Sequence, residues 1–332
     1  MSTTKERAPA ANVPPTPRKV VVVRTPADRM FRRAAACAGG LTLIILVLIG
    51  GFLFTKGLPA LKDQGLKFFT TQVWNPPPRG NEFGVAALLY WTVVVALIAL
   101  VIAVPLSVAA ALFVTEFAPR RLRRALTSLI DLLAAVPSLI YGMWGAAYLR
   151  PRMIGISEWL GRYLGFLPIF KPTTNAPIYG PSAFVAGVVV SLMVVPIVTS
   201  VVREVFSQVP PGEKEGALAL GGTRWGMIRA VVLPFGRSGI IGGSMLGLGR
   251  ALGETIAILL IVSPLFAIRA NVIEAGAIPV APLIANNFGE SSGLALSALL
   301  AAGFVLFVVT LLVNLGAATV IARSRSGAGV EI

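Results

Sequence analysis

Arg250 and Glu254 are the only two charged residues between Ser238 and Ile268, in an otherwise apolar stretch. The arginine guanidinium donates several N–H bonds in a planar fork, which suits the oxygens of an oxyanion. Because the two residues are four apart, they would share a face of a helix, and the carboxylate could hold the guanidinium when no anion is bound. The order Arg before Glu is the less favourable one within a helix, so helix stability does not explain the pair. We therefore predict that the pair handles an anion, with a purely structural ion pair as the alternative.

The elements that must position this pair are long apolar segments. The chain has 332 residues, of which 56% are hydrophobic and 13% charged, whereas soluble domains carry about 25% charged residues. Six runs with at most two charged residues each are long enough to cross a hydrocarbon core as helices, and they cover 34–55, 83–115, 125–149, 172–202, 238–268 and 291–322. The sequence predicts an all-α integral membrane protein with six transmembrane helices. Arg250 would lie about 18 Å into the fifth, where a buried charge costs roughly 2.5–3.5 kcal/mol.

Both ends of the chain are predicted to be cytoplasmic tails, residues 1–33 and 323–332, on either side of a transmembrane domain at 34–322. The first tail is rich in proline, alanine and basic residues, a composition typical of disordered segments. Lys and Arg are more frequent in the segments on the side of the amino terminus, and the cluster Arg121-Leu122-Arg123-Arg124 is the clearest case, which favours the inside for both termini. This placement accounts for the net charge of +15, so we expect no nucleic-acid partner.

Composition excludes several classes of enzyme and metal site. The chain contains no histidine and a single cysteine, Cys37, so a histidine-based metal site, a catalytic triad and an intramolecular disulfide are ruled out. It also lacks the sequence of an ATP-binding phosphate loop. We expect no catalytic residue, no metal and no cofactor in this chain, and ATP and Mg²⁺ would be bound by a partner ATPase.

Pro137 interrupts the third apolar run and is expected to bend it. Ser138 and Tyr141 follow one turn apart, so their hydroxyls would lie on one face of a helix. Two interpretations stay open, namely hydrogen bonds to neighbouring helices and polar groups that line a substrate pathway.

The longest inside loop, residues 203–237, is patterned as two short helices. A first helix is expected to begin at Pro210 and Pro211, because proline is favoured in the first turn, and to end at Gly221-Gly222. A second helix is predicted over 223–233, ending before Pro234. We call residues 203–237 the elbow, and we expect it to lie at the cytoplasmic surface.

The elbow resembles the EAA loop of ABC importer permeases, through the pattern Glu215-x-Ala217-x-x-x-Gly221, nine residues, then Val231-x-Leu233-Pro234. Two positions depart from the family pattern, since Gly216 stands where the family has alanine and Val231 where it has isoleucine. The spacing itself is intact over the whole motif.

Further stretches are similar to the PstC-type permeases of bacterial phosphate ABC importers: Trp74-Asn75-Pro76, Leu112-Phe113-x-Thr115-Glu116-x-Ala118-Pro119, Pro137-Ser138-Leu139-Ile140-Tyr141-Gly142-Met143-Trp144-Gly145 and Arg250-Ala251-Leu252-Gly253-Glu254-Thr255. The resemblance extends over roughly residues 34–322. The paralogous PstA-type subunit shares the elbow and the glycine-rich helix but usually lacks the Tyr-Gly-Met-Trp-Gly run, which favours the PstC type.

This resemblance implies a MetI-like ABC importer permease fold in the plasma (inner) membrane of a bacterium, surrounded by membrane lipid. The substrate would be inorganic phosphate, which passes by alternating access between this chain and a second, PstA-like permease. Two copies of a PstB-like ATPase would drive the cycle, and a PstS-like external protein would deliver phosphate. Arg250 and Glu254 would take part in phosphate passage. The residues that would dock on the ATPase are those of the motif: Glu215, Ala217, Gly221, Leu233 and Pro234.

Gly239, Gly243 and Gly247 recur every four residues, a spacing of small residues that lets two helices approach closely. Since two permeases would form one pathway, we predict that this face lies at the seam between them and brings Arg250 to that seam.

Three other functions are compatible with part of the pattern. An ABC permease for another oxyanion, such as molybdate or sulfate, would share the elbow but not the Arg-Ala-Leu-Gly-Glu-Thr context. A secondary transporter would need its own ion-coupling site and no elbow. A membrane-bound enzyme would need a convergent polar cluster besides Arg250 and Glu254.

Overall fold

The computed structural model describes residues 26–325, with side-chain burial as far as Thr319. The chain divides into two compact units, Met1–Ile49 and Gly50–Ile332, and every site discussed below lies within the second. The α-helices are α1 (Pro26–Gln64), α2 (Lys67–Thr70), α3 (Ala86–Leu112), α4 (Arg120–Ala135), α5 (Ser138–Trp144), α6 (Arg150–Tyr163), α7 (Ala183–Ser207), α8 (Pro211–Ala219), α9 (Arg224–Met227), α10 (Leu233–Leu252), α11 (Ile256–Ile261), α12 (Val280–Asn287) and α13 (Gly293–Arg325).

The remaining regular elements are short. Strands β1 (Trp74–Asn75) and β2 (Glu82–Phe83) form an antiparallel pair between α2 and α3. π-helical segments follow α3, α5 and α9, at Phe113–Phe117, Gly145–Leu149 and Ile228–Val232, and a 3₁₀ turn at Phe288–Glu290 follows α12.

Five helices in the described part of the chain are long and apolar enough to cross a membrane, and a sixth span results if the bent pair around Pro137 counts as one. The prediction of an all-α membrane protein with six spans is therefore confirmed. The five are α1, α3 with its π-helical segment, α7, the continuous helix Arg224–Leu252 and α13.

The third predicted run, 125–149, is not one straight span. The helices Arg120–Ala135 and Ser138–Tyr163 meet at an angle of 89°. Val136 and Pro137 between them are extended, with ψ of 128° and 140°. Proline lacks an N–H and pushes the residue before it out of helical geometry, so the predicted bend at Pro137 is confirmed.

The prediction that a helix ends before Pro234 is wrong, because one continuous helix runs from Arg224 to Leu252. A proline inside an α-helix removes one hydrogen bond and clashes with the carbonyl one turn earlier. The π-helical turn just before it is wider, since the N–H of Leu233 bonds to the carbonyl of Ile228 five residues back. Such a turn accommodates the proline ring without ending the helix.

The three glycines of α10 face α7 of the same chain. A Cβ built at Gly239 would lie 2.5 Å from Val205 Cγ2, and one built at Gly247 would lie 2.7 Å from Val194 Cγ1. Gly243 is likewise buried, with its nearest neighbour on Val198 of α7. The spacing does support close helix contact, but the prediction of a seam with a second permease on this face is wrong. Spacing reports only that a face accepts a near neighbour, and the neighbour here is intramolecular.

Substitution of Gly247 with alanine is expected to lower the stability of the membrane domain by about 1–3 kcal/mol, because the added methyl overpacks the α7–α10 contact. The methyl groups it would meet, on Val194 and Val198, lie 2.7 and 2.9 Å away on stiff β-branched side chains. Thermal unfolding of the purified protein in detergent measures the effect. The matched control is Gly216→Ala on α8, which has no atom within 4 Å of the added Cβ. Equal melting temperatures for the two variants would contradict this account.

The chain after α11 is fastened to the loop before α7. The buried carboxylate of Glu274 accepts hydrogen bonds from the backbone N–H of Thr173, at 2.7 Å, and from its hydroxyl. Tyr179 forms a backbone bridge with Glu274. Burial, followed by the charges of Glu274 and Glu158, raises the pKa of the Tyr179 hydroxyl. Ser263, just past the end of α11, also donates its N–H to the carbonyl of Pro181, at 3.4 Å, in the same loop before α7.

The predicted tails overlap the first and last helices. Residues 26–33 of the predicted tail 1–33 belong to α1, and α13 continues into the predicted tail 323–332 as far as Arg325. Residues 1–25 and 326–332 lie outside the described residues.

Candidate functional site

Arg250 lies in the last turn of α10, and Glu254 lies just past a break in the chain. The helix ends at Leu252, Gly253 caps it, and α11 begins at Ile256. The prediction that Arg250 and Glu254 share one continuous helix is therefore wrong. They still form an ion pair across the break, with 3.7 Å between Nη2 of Arg250 and Oε2 of Glu254.

The two partners of this pair differ sharply in burial. The side chain of Arg250 is 44% exposed, whereas that of Glu254 is 3% exposed. A buried carboxylate needs compensating partners. Besides the guanidinium, Oε1 of Glu254 accepts a hydrogen bond of 3.3 Å from the backbone N–H of Ala257, in the first turn of α11. Glu254 is therefore held by the backbone even when Arg250 turns away from it.

Arg250 lines an open cavity of about 360 Å³ between α7, α10 and α13. Most of its wall is apolar, and the two polar side chains in it are Arg250 and Asn314. Asn314 Oδ1 would lie 3.4 Å from a Cβ built at Gly249, the residue before the arginine. The cavity therefore combines one cationic fork with one amide, which can both donate and accept.

The sequence reasoning did not single out Asn314. The available signal was its type, since Asn314 is the one side-chain amide in the run 291–322, which holds no charged residue. Polar side chains in such runs usually face other helices or a pathway. Its proximity to Arg250 depends on how α13 lies against α10, which the sequence pattern does not report.

Tyr141 uses its hydroxyl locally. The hydroxyl donates a hydrogen bond of 3.0 Å to the carbonyl of Leu133, near the end of α4, and so braces the bend at Pro137. Ser138 begins α5 and is partly buried. In the part of the chain that the structure describes, neither residue lines the cavity at Arg250.

Helix α5 nevertheless lies directly against the site. A Cβ built at Gly142 would meet the Cα of Ala257 at 2.7 Å, and Ala257 is the residue whose N–H bonds to Glu254. Only glycine allows this close approach. The contact between Gly142 of α5 and Ala257 of α11 therefore links the bend at Pro137 to the helix break that follows Arg250.

The elbow forms a helix, a turn and the start of the long helix Arg224–Leu252. Helix α8 begins at Pro211, as predicted, and ends at Ala219. Gly221 has a φ of +82°, a conformation that favours glycine, so the turn of the motif depends on this residue. The Thr223 hydroxyl accepts a hydrogen bond from the N–H of Gly226 and caps the next helix.

The outer face of the elbow is open. Glu215 is exposed and Ala217 is partly buried. Leu220 and Trp225 are 91% and 62% exposed, so large apolar side chains face outward on both sides of the turn. At the far end of the motif, Leu233 is partly buried and Pro234 is exposed.

An ion pair that the sequence reasoning missed ties the elbow to the end of α3. Nζ of Lys214 lies 2.6 Å from Oε1 of Glu116, and the two side chains are 21% and 9% exposed. Glu116 lies in the π-helical segment after α3. The partners are 98 residues apart, so no local pattern could have paired them. This contact links α8 to the segment that follows α3.

Comparison with known sequences decides the family. The profile of the family described as "Binding-protein-dependent transport system inner membrane component" matches residues 103–326. This chain belongs to that family. The description of this family names a membrane component of a transport system, which supports the prediction that the chain is a transport component.

Relatives within the family resolve the type of permease. The chain is 43% identical over 302 residues to "Phosphate transport system permease protein PstC 2" of Mycobacterium tuberculosis, covering 90% of this chain and 93% of that protein. It is 44% identical over 285 residues to "Phosphate transport system permease protein PstC" of Xylella fastidiosa, covering 86% and 87%. The resemblance to PstC-type permeases is therefore confirmed.

A solved structure supports the fold. It is described as "Crystal structure of a bacterial ABC transporter involved in the import of the acidic polysaccharide alginate", and its matching chain superposes with a TM-score of 0.55 at 18% identity. The match covers 90% of this chain and 98% of that chain. The expected ABC permease fold is therefore confirmed.

Proposed function

We propose that this chain is a permease subunit of an ATP-driven importer of inorganic phosphate. The observation that carries the proposal is Arg250, a half-exposed guanidinium that lines a mostly apolar cavity between three membrane-spanning helices. Relatives named as phosphate transport permeases, at 43–44% identity over most of the chain, support phosphate as the substrate.

In the proposed mechanism, Arg250 exchanges one anionic partner for another. Its contact with Glu254 is 3.7 Å, longer than a good charge-assisted hydrogen bond of about 2.7–2.9 Å. The guanidinium can therefore turn to phosphate and give two parallel N–H bonds. Glu254 keeps its backbone partner at Ala257 meanwhile. As phosphate leaves, the carboxylate recaptures the arginine, which prevents the anion from remaining bound.

Other polar groups would complete the site. Asn314 lines the same cavity and can donate its amide N–H bonds to a phosphate oxygen. Ser138 remains a candidate pathway residue at the start of α5, whereas the role we propose for Tyr141 is to keep the bend at Pro137 in shape. One arginine and one amide are few ligands for a dianion, so a second, PstA-like permease would supply the rest.

Energy would enter through the elbow. An exposed acidic residue, Glu215, and the glycine turn at Gly221 lie in the part of the elbow that a separate PstB-like ATPase can bind. We propose two copies of this ATPase, which bind the ATP and Mg²⁺, and a PstS-like protein that delivers phosphate on the opposite side. This arrangement places the elbow and both termini in the cytoplasm of a bacterium, and it assigns no catalytic or metal-binding residue to this chain.

Reconstitution tests the proposal. The transporter complex purified through this chain is placed in proteoliposomes with the external binding protein, and uptake of radiolabelled phosphate is measured with and without ATP. We expect uptake that needs ATP and that a hundredfold excess of unlabelled phosphate suppresses by diluting the label. The same excess of molybdate or sulfate should leave uptake largely unchanged if these ions bind about a hundredfold or more weakly. Suppression by molybdate or sulfate instead would assign the permease to that oxyanion. Uptake without ATP would indicate a secondary transporter.

A further inference from the structure

A second cavity, of about 250 Å³, lies on the elbow side of the molecule, between α4, α7, α8 and the π-helical segment after α3. We call it the elbow cavity. Its wall contains three cationic side chains, Arg123, Arg203 and Lys214, and one carboxylate, Glu204. It is separate from the cavity at Arg250, since none of these residues lines the latter within the described part of the chain.

Arg203 supplies a donor without an acceptor. Its Nε is buried and has no hydrogen-bond partner. The nearest carboxylate, on Asp131, is 4.0 Å from Nη2, which is too long for a hydrogen bond. The Asp131 side chain is 55% exposed and does not pair with the buried Nε–H. Buried N–H groups of a guanidinium are rarely left unpaired in a folded protein, because water no longer solvates them.

The other two cations are held so that part of each faces the cavity. Nη2 of Arg123 donates to the carbonyl of Thr115 at 2.5 Å, which uses one of its five N–H bonds and anchors the side chain. Lys214 is paired with Glu116 through one of its three N–H bonds. The cavity therefore collects donors from three separate elements.

The carboxylate in the wall does not cancel these donors. Glu204 already accepts a hydrogen bond of 3.3 Å from Nε2 of Gln208, one turn along. Glu116 neutralises Lys214, and Asp131 lies 4.0 Å from Arg203, so the wall has an excess of N–H donors rather than of net positive charge. The hydroxyls of Thr127 and Ser207 add neutral polar groups. The unmet need is for acceptor oxygens.

We propose that the elbow cavity binds a phosphate group. Its tetrahedral oxygens can accept from guanidinium groups on α4 and α7 and from Lys214 on α8 at the same time, and two guanidinium forks are the preferred protein partners of such a group. The source is either free inorganic phosphate on the elbow side or the head group of an anionic phospholipid. An occupant would clamp α8 to α4 and α7, and so would restrain the helix that carries the EAA motif.

The experiment uses the purified complex of permeases and ATPases, without the external binding protein and with EDTA. The background is Arg250→Gln, so that the proposed pathway site does not contribute. One arm measures equilibrium binding of radiolabelled inorganic phosphate. The other measures retention of phosphatidic acid and phosphatidylglycerol against phosphatidylcholine by native mass spectrometry. We expect one arm to give binding that falls about tenfold or more in the double variant Arg123→Gln/Arg203→Gln, as loss of charge-assisted hydrogen bonds requires.

Two further variants keep the result interpretable. Arg124→Gln removes the same charge from an exposed residue of the same helix that does not line the elbow cavity, and it should change binding by less than about twofold. Arg203→Lys keeps the charge beside Asp131 but loses the planar guanidinium fork that lines the elbow cavity, and it should weaken binding even if the double variant misfolds. Equal loss in Arg124→Gln, full binding in Arg203→Lys, or no binding in either arm would each overturn the proposal. These experiments measure binding rather than uptake, so they test the elbow cavity separately from the proposal that the chain imports phosphate.

Discussion

Replacing Arg250 with glutamine is expected to reduce ATP-driven phosphate uptake by about a hundredfold or more, while the complex still assembles and hydrolyses ATP. Glutamine keeps some hydrogen-bonding capacity but is two bonds shorter, and it loses the charge and the planar fork that a phosphate dianion requires. The arginine is 44% exposed in its cavity, so little packing is lost with it. Uptake into proteoliposomes, normalised to assembled complex, measures the effect.

A structural ion pair would also respond to this substitution, because it would leave Glu254 buried and unpaired. Breaking a buried pair in this way commonly costs about 3–5 kcal/mol. The double variant Arg250→Gln/Glu254→Gln separates the two roles. It removes both charges, and the carbonyl oxygen of the new amide can still accept from the N–H of Ala257.

The outcomes of the double variant differ between the two roles. If Arg250 binds phosphate, the double variant stays inactive although its thermal stability recovers. Recovery of uptake together with stability would assign the pair a purely structural role and would contradict our mechanism. Arg250→Lys adds a finer comparison, since it keeps the charge without the fork and should retain only a small part of the uptake.

Reversing the charge of Glu215 with lysine is expected to lower recovery of the ATPase with the permease by about tenfold, without changing membrane insertion. Glu215 is exposed on α8, so the folded chain does not depend on its side chain. A cation at the centre of the proposed docking surface would repel a partner that evolved to meet a carboxylate. Affinity purification through this chain, followed by quantification of the ATPase, measures the change.

The same helix offers a matched control for Glu215→Lys. Glu213 is also exposed and lies two residues earlier, outside the EAA pattern. Its replacement with lysine makes the same charge reversal on the same helix and, because Glu213 is in the first turn, costs about 0.3–1 kcal/mol of helix-dipole energy as well. Glu213→Lys should therefore retain most of the ATPase. Equal recovery in both variants would show that Glu215 has no special part in coupling.

Several features followed from the amino-acid sequence alone, because they depend on residues close together in the chain. Apolar runs longer than a bilayer requires predicted the spans, and helices occupy most of each run, although the third bends at Pro137 and the fifth breaks at Gly253. Pro137 bends its helix because its ring acts on its own neighbours. Pro211 and Gly221 likewise bound the first elbow helix through local backbone geometry. The motifs also sufficed to identify the family.

Local reasoning reached its limit where a helix could either continue or break. The sequence predicted that Arg250 and Glu254 share a helix, and that Pro234 ends one. The structure reverses both expectations, since a π-helical turn carries the chain past Pro234 and a break at Gly253 separates the pair. In each case the backbone N–H groups find partners that helix propensities do not predict. The N–H of Leu233 bonds to the carbonyl of Ile228, and the N–H of Ala257 bonds to the Glu254 carboxylate.

The tertiary structure alone decided which distant residues meet. The glycine face of α10 contacts α7 rather than a second subunit, Lys214 pairs with Glu116 across 98 residues, and Asn314 joins the cavity of Arg250. Residue types and their spacing indicate what kind of contact a helix face can make, such as close packing through glycine, an ion pair or a hydrogen bond to an amide. Which partner fills that face depends on the packing of whole helices, and this is set by shape complementarity over many residues that no short motif contains.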